Sequence, residues 1–94
     1  MESSSVSARV ESYSPLEGGR GSAVLELSFR GSTYRILVEN LAKKPYKAEA
    51  SVEGEHVVIR LLDEEDRGFA SCYIHVSHLE RGCVDCRCLL KPAG

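Results

Sequence analysis

Apolar and polar residues alternate with a period of two along most of this chain. The clearest segment is 23–30, in which every second residue from Ala23 to Phe29 is apolar. The same alternation covers 6–10, 34–38, 48–52, 57–61, 70–76 and 84–90. Successive side chains of a β-strand point to opposite faces, so this pattern predicts six or seven short strands, each with one face toward a core.

Turn-forming residues separate the predicted strands. Glycine, proline, serine or acidic residues are concentrated in 14–21, 30–32, 54–55 and 63–68, and 40–45 breaks the alternation. Short strands at this spacing are typical of an all-β barrel or sandwich, and a small antiparallel barrel is favoured because so short a chain cannot spare unpaired edges. A short helix within 43–53 is the alternative for that segment, because Lys, Ala and Glu favour helices.

Length and composition restrict the function. The 94 residues suffice for one domain, 1–94, whose ends at 1–5 and 92–94 are predicted to fray. A net charge of −2 argues against a general nucleic-acid binder, which needs a basic face. The chain has no apolar stretch near 18 residues and no basic, apolar leader at its start, so we expect a soluble cytoplasmic protein.

The four cysteines are the most site-like feature of the sequence. Cys72, Cys83, Cys86 and Cys88 lie near two histidines, and these are ligand types that zinc prefers. Only Cys83 and Cys86 have the spacing of a zinc knuckle, however, and alternation places Cys86 and Cys88 on the core face of a strand. We therefore predict buried thiols and no metal or cofactor. A disulfide from Cys72 to one of the other three, and a zinc site on all four, are the alternatives.

No residue combination in the sequence supports catalysis. His75 and His78 are predicted to be surface histidines, because their odd separation excludes one face of a continuous strand. Tyr34 is predicted to belong to the core. Tyr46, between lysines, and Tyr73 offer an alternative function, since small barrels that bind single-stranded nucleic acid stack bases on exposed aromatics. The sequence thus predicts a binding protein and not an enzyme.

The chain resembles a known family in several segments that fall in the same order. The C-terminal stretch 84–91, Val-Asp-Cys-Arg-Cys-Leu-Leu-Lys, is similar to the closing strand of the small OB-type subunit, numbered eight, of archaeal and eukaryotic DNA-dependent RNA polymerase. The segments 6–20, 24–38 and 66–76 resemble the family's first strand and turn, its next hairpin and its Tyr-rich strand. The chain lacks the long middle insertion and the Tyr-Gly-Gly-Leu-Leu hairpin of the eukaryotic pattern.

The resemblance implies a fold, a partner and a role. It implies a small antiparallel OB-like barrel that acts as a non-catalytic accessory subunit in transcription, docked on the largest polymerase subunit and supporting assembly or stability. Nucleic acid would then be met only through the complex. A docked module needs apolar anchors on its surface. The predicted strands place four apolar residues on outward faces that should be polar: Val24, Leu37, Val58 and Leu62. We predict that some of them contact the partner; the alternative is that they line the second side of a barrel wall covered by a loop.

Overall fold

The computed structural model describes residues 6–15, 21–81, 85–87 and 89–92, with side chains for 6–15 and 21–81. In chain order the elements of this part are β1 (Val6–Pro15), β2 (Gly21–Phe29), β3 (Ser32–Leu41), β4 (Lys47–Glu53), β5 (His56–Leu62), β6 (Gly68–His75), α1 (Val76–Glu80), β7 (Asp85–Arg87) and β8 (Leu89–Pro92). The predicted β-rich chain is confirmed. The alternative of a helix within 43–53 is wrong, because most of that segment is β4.

The first sheet has the strand order β1-β2-β3-β7. Its first three strands are antiparallel, and the predicted hairpin of β2 and β3 is present. Arg30 and Gly31 form the turn of this hairpin with φ angles of 51° and 79°. A two-residue turn with positive φ at both positions matches the right-handed twist of the flanking strands, which explains how so short a connection is made.

The second sheet has the strand order β4-β5-β6-β8, and all its neighbouring strands are antiparallel. Gly54, with a φ of 63°, lies in the turn between β4 and β5. The strand predicted over 84–90 is divided between the two sheets. β7 pairs with β3 of the first sheet, whereas β8 pairs with β6 of the second. The β7–β3 pairing is parallel, so the prediction of a wholly antiparallel fold is wrong at this point.

The two sheets do not form a closed barrel in the described part of the chain, so the predicted barrel is not confirmed. β1 and β4 are the outer strands that would have to pair. Their Cα atoms approach within 8 Å, but the two strands belong to different sheets. Just before β4, the backbone N–H of Tyr46 donates to the carbonyl of Leu62 at the end of β5. This bond joins the start of β4 to its own sheet, and a groove of about 490 Å³ lies between β4 and β1.

The core lies between the sheets and consists of the residues that alternation placed inward. Its buried members are Ala23, Leu25, Leu27, Phe29, Ile36, Val38, Leu41, Val57, Ile59, Leu61, Ala70, Cys72, Ile74 and Leu79. Tyr34 packs against this cluster, as predicted. Every strand of the two hairpins therefore contributes a single face to the core, and β5 also buries Val58 and Leu62 outside the core cluster.

Helix α1 replaces the predicted end of the sixth strand. The strand stops at His75, whose backbone is still extended (φ −70°, ψ 138°) and whose side chain accepts a hydrogen bond from the backbone N–H of Ser77. A residue of this kind is an N-cap, because it satisfies one of the free N–H groups at the start of a helix. The five residues that follow form α1, in which Leu79 is buried at 1% exposure.

Asp63 organises the turn between β5 and β6. Its Oδ1 accepts hydrogen bonds from the backbone N–H groups of Arg67 (3.0 Å) and Glu65 (2.9 Å). Its Oδ2 accepts one from Lys43 Nζ at 3.2 Å. These donors, the Arg67 N–H foremost, hold the pKa of the Asp63 carboxyl below its usual range.

Asp63→Ala should therefore lower stability at neutral pH by more than it does in acid. A carboxyl whose pKa is lowered by folding stabilises the native state above its unfolded pKa of about 3.9, and the contribution is lost as the pH falls through the folded value. The measurement is the urea midpoint of both proteins from neutral pH to about pH 2. Glu64→Ala in the same turn is the matched control. A difference between Asp63→Ala and wild type that stays constant over this range would contradict the prediction.

Candidate protein-binding surface

Two of the predicted contact residues meet on the outer face of the first sheet. Val24 on β2 and Leu37 on β3 are directly opposite each other in the antiparallel register. Both are half-buried, whereas the residues directly before and after each of them in its own strand belong to the core. Cross-strand neighbours of this kind touch through their side chains. We call these two residues the Val24–Leu37 pair.

A row of charged side chains flanks the Val24–Leu37 pair. Arg9, Glu26 and Arg35 lie opposite one another on β1, β2 and β3. Arg9 Nε donates to Glu26 Oε1 at 2.7 Å, and this bond holds the pKa of Glu26 below its usual range. Arg35 lies 3.8 Å from Glu11 of β1. The sheet face thus carries an apolar pair beside a charged border.

The other two predicted contact residues lie in a different setting. Val58 and Leu62 on β5 are only 3% and 4% exposed, yet neither belongs to the core cluster between the sheets. β5 is consequently covered on both faces, since Val57, Ile59 and Leu61 occupy the core face. A residue so well covered offers little area to a partner. Only Val24 and Leu37 remain available for the contact that the sequence suggested.

Tyr46 is the most exposed large apolar residue in the described part of the chain, at 52%. Lys44 Nζ lies 5.1 Å from the centre of its ring. The two neighbouring lysines are both engaged with carboxylates: Lys43 with Asp63 at 3.2 Å, and Lys47 with Asp66 at 3.0 Å. The Asp66 hydrogen bond raises the pKa of Lys47. Most of the positive charge near Tyr46 is therefore neutralised, which disfavours a phosphate-binding surface.

Cys72 corrects the prediction of reduced thiols. It is fully buried in the core, as expected, but it is disulfide-bonded. A half-cystine has no thiolate to offer, so Cys72 is not a ligand of the four-cysteine zinc site considered above. Cys83, Cys86 and Cys88 lie outside the residues whose side chains are described. Among the described side chains, no three His, Cys, Asp or Glu residues are arranged to hold a metal ion.

The three histidines of the chain form a cluster that the sequence did not suggest. His56 and His75 are cross-strand partners on β5 and β6, with ring centres 5.0 Å apart. His78 on α1 has its ring centre 6.4 Å from that of His75. His78 is exposed and His75 partly exposed, which agrees with the predicted surface positions. Finding the cluster from sequence would have required the register of β5 with β6 and the start of α1.

The described part of the chain contains no helix with the length and apolar character needed to span a bilayer. Comparison with protein-family models, with curated proteins and with solved structures gave no match. The described surface of the first sheet carries an apolar cross-strand pair with a charged border.

Proposed function

We propose that this chain is a non-catalytic accessory subunit of an archaeal DNA-directed RNA polymerase, docked on the largest subunit through the outer face of its first sheet. The observation that carries the docking surface is the Val24–Leu37 pair. Two apolar side chains stand together on a sheet face whose neighbouring positions are charged or polar. The identity of the assembly rests on the sequence resemblance.

Three of the four similar segments coincide with strands, whereas the fourth, 84–91, resembles one closing strand of the family but is divided here between two sheets. The segment similar to the family's first strand begins with β1, the segment at 24–38 is the β2–β3 hairpin, and the segment at 66–76 contains β6. The C-terminal segment 84–91 overlaps β7 and β8.

A docking role sets requirements that this surface can meet. A stable interface buries about 800 Å² of each partner, with apolar anchors at its centre and polar residues at its rim. Val24 and Leu37 supply the anchors, and Arg9, Glu26 and Arg35 supply the rim. Most of the binding free energy is expected at the anchors, since exposed charge pairs contribute little.

Replacing both anchors tests the proposal. We expect the double variant Val24→Ala, Leu37→Ala to weaken association with the largest polymerase subunit by about 1–3 kcal/mol, or roughly 5- to 150-fold in Kd. The measurements are co-purification of the tagged chain with polymerase from the source cell, and titration of the purified large subunit. Val52→Ala is the matched control, because Val52 is 39% exposed on β4 of the other sheet.

The fold of each variant must be measured separately from its binding. Urea unfolding of the isolated double variant should stay within about 1 kcal/mol of wild type, because both residues lie outside the core cluster. Undiminished co-purification of the double variant would refute this surface. Failure of the wild-type chain to recover any polymerase subunit would refute the assembly itself.

One observation favours a second function, the binding of single-stranded nucleic acid at Tyr46. An exposed aromatic beside a lysine is a stacking platform for a base. Titration of a labelled single-stranded oligonucleotide at low and moderate salt separates the two functions, because phosphate contacts give a steep salt dependence. Tight binding that falls with salt and is lost in Tyr46→Ala would favour nucleic acid over protein docking.

A further inference from the structure

His75 accepts the hydrogen bonds that start helix α1. Its Nδ1 accepts from the backbone N–H of Ser77 at 3.2 Å and lies 2.8 Å from Ser77 Oγ. An imidazole nitrogen that accepts an N–H bond carries no proton. In the neutral ring the proton is then on Nε2, which lies 3.1 Å from Glu55 Oε1 and donates to it. The observed cap thus requires neutral His75.

Protonation of His75 would remove this acceptor. Both nitrogens of an imidazolium are donors, so the Ser77 N–H would lose its partner at the first turn of α1. The charge would also lie near His56 and His78, whose ring centres are 5.0 Å and 6.4 Å away. Histidine is the side chain whose charge ordinarily changes between about pH 5 and 8, so mild acid is the condition in which loss of the cap is to be measured.

The charged groups around the cluster do not cancel this effect. Glu55, in the turn between β4 and β5, attracts a charged His75, but its side chain is 81% exposed and the attraction is screened by water. Tyr73 of β6 lies against His56 and is uncharged. On α1, Glu80 is engaged with Arg30 of the β2–β3 turn at 3.2 Å. Glu53 of β4 is the cross-strand partner of His56 and is exposed, so its attraction for a charged His56 is likewise screened by water. Among the described side chains Glu55 is the only carboxylate hydrogen-bonded to the cluster.

We propose that protonation of the histidine cluster weakens the attachment of α1 to the core, so that the helix opens locally when the histidines are charged. The helix has five residues and carries one buried side chain, Leu79, into the core cluster. Loss of one N-cap bond is a large fraction of what holds so short a helix. Acid would thus raise the fraction of molecules in which α1 is open while the sheets stay folded, which is a conformational property separate from the docking function.

Amide hydrogen exchange tests the proposal directly. The reporter is the N–H of Arg81, which donates to the Ser77 carbonyl at 3.2 Å, and the remote reference is the N–H of Tyr46, which donates to Leu62. We expect protection at Arg81, corrected for intrinsic exchange, to fall about five- to tenfold between about pH 7.5 and pH 5, with Tyr46 unchanged.

His75→Asn is the decisive variant, because asparagine is a good N-cap acceptor that does not titrate. We expect its Arg81 protection to be independent of pH. His56→Asn keeps the cap and removes one neighbouring charge, so most of the wild-type change should remain. A wild-type protein without a pH-dependent change, an equal change in His75→Asn, or a change abolished by His56→Asn alone would each overturn the proposal.

Discussion

Replacing Cys72 with alanine should lower the free energy of unfolding by about 2–4 kcal/mol, because the variant loses a disulfide. Cys72 is 0% exposed at the centre of β6 and disulfide-bonded. A disulfide stabilises mainly by restricting the unfolded chain, and its effect is large in a small domain, where the core alone contributes little net stability. Urea unfolding of both proteins without reductant measures the difference.

Unfolding in the presence of reductant distinguishes the contribution of the disulfide to stability from that of the packing of the Cys72 sulfur. Wild-type protein unfolded in excess dithiothreitol should fall to about the stability of Cys72→Ala, whereas the variant itself should change much less. If reductant leaves the wild-type midpoint unchanged, or if Cys72 in unfolded, unreduced protein reacts with a thiol reagent, the disulfide does not form in solution.

The burial of Cys72 could be predicted from the sequence, but its disulfide could not. Alternation placed Cys72 on the core face of its strand, and this is confirmed by its complete burial. Alternation predicts a buried thiol there, whereas Cys72 is disulfide-bonded. Whether two cysteines join, however, depends on the distance between their sulfur atoms, and a period-two pattern gives the face of a strand but not its neighbours.

The same distinction explains which parts of the fold were predictable. The inward face of β2 follows from alternation alone, because this strand buries every second residue. The partners of the strands do not follow. The parallel pairing of β7 with β3, the division of the last strand between two sheets, and the open seam between β1 and β4 all depend on contacts between residues distant in sequence.

The candidate surface was predicted in part for a related reason. All four predicted contact residues are apolar residues at positions that alternation places on the outward faces of strands. Val24 and Leu37 remain partly exposed, whereas Val58 and Leu62 are covered. Alternation cannot distinguish these cases, since the cover of a sheet's outer face comes from other segments of the chain. For the same reason the sequence does not predict the histidine cluster, because His56 and His75 are brought together only by the register of β5 with β6.

Leu79→Ala should lower the free energy of unfolding by about 2–5 kcal/mol, because it leaves a cavity where α1 enters the core. Leu79 is 1% exposed and is the only residue of α1 in the buried core cluster. Its neighbour His78 is exposed on the same helix, so His78→Ala is the matched control and should change stability by less than about 0.5 kcal/mol at neutral pH. Urea unfolding at neutral pH measures both variants.

The result also decides how α1 is held. If the N-cap and Leu79 act together, Leu79→Ala should raise the exchange rate at Arg81 even at neutral pH. A small loss of stability together with unchanged protection at Arg81 would mean that α1 does not close the core. Its response to acid would then reflect only the fraying of an exposed turn, and the histidine cluster would have no buried element to control.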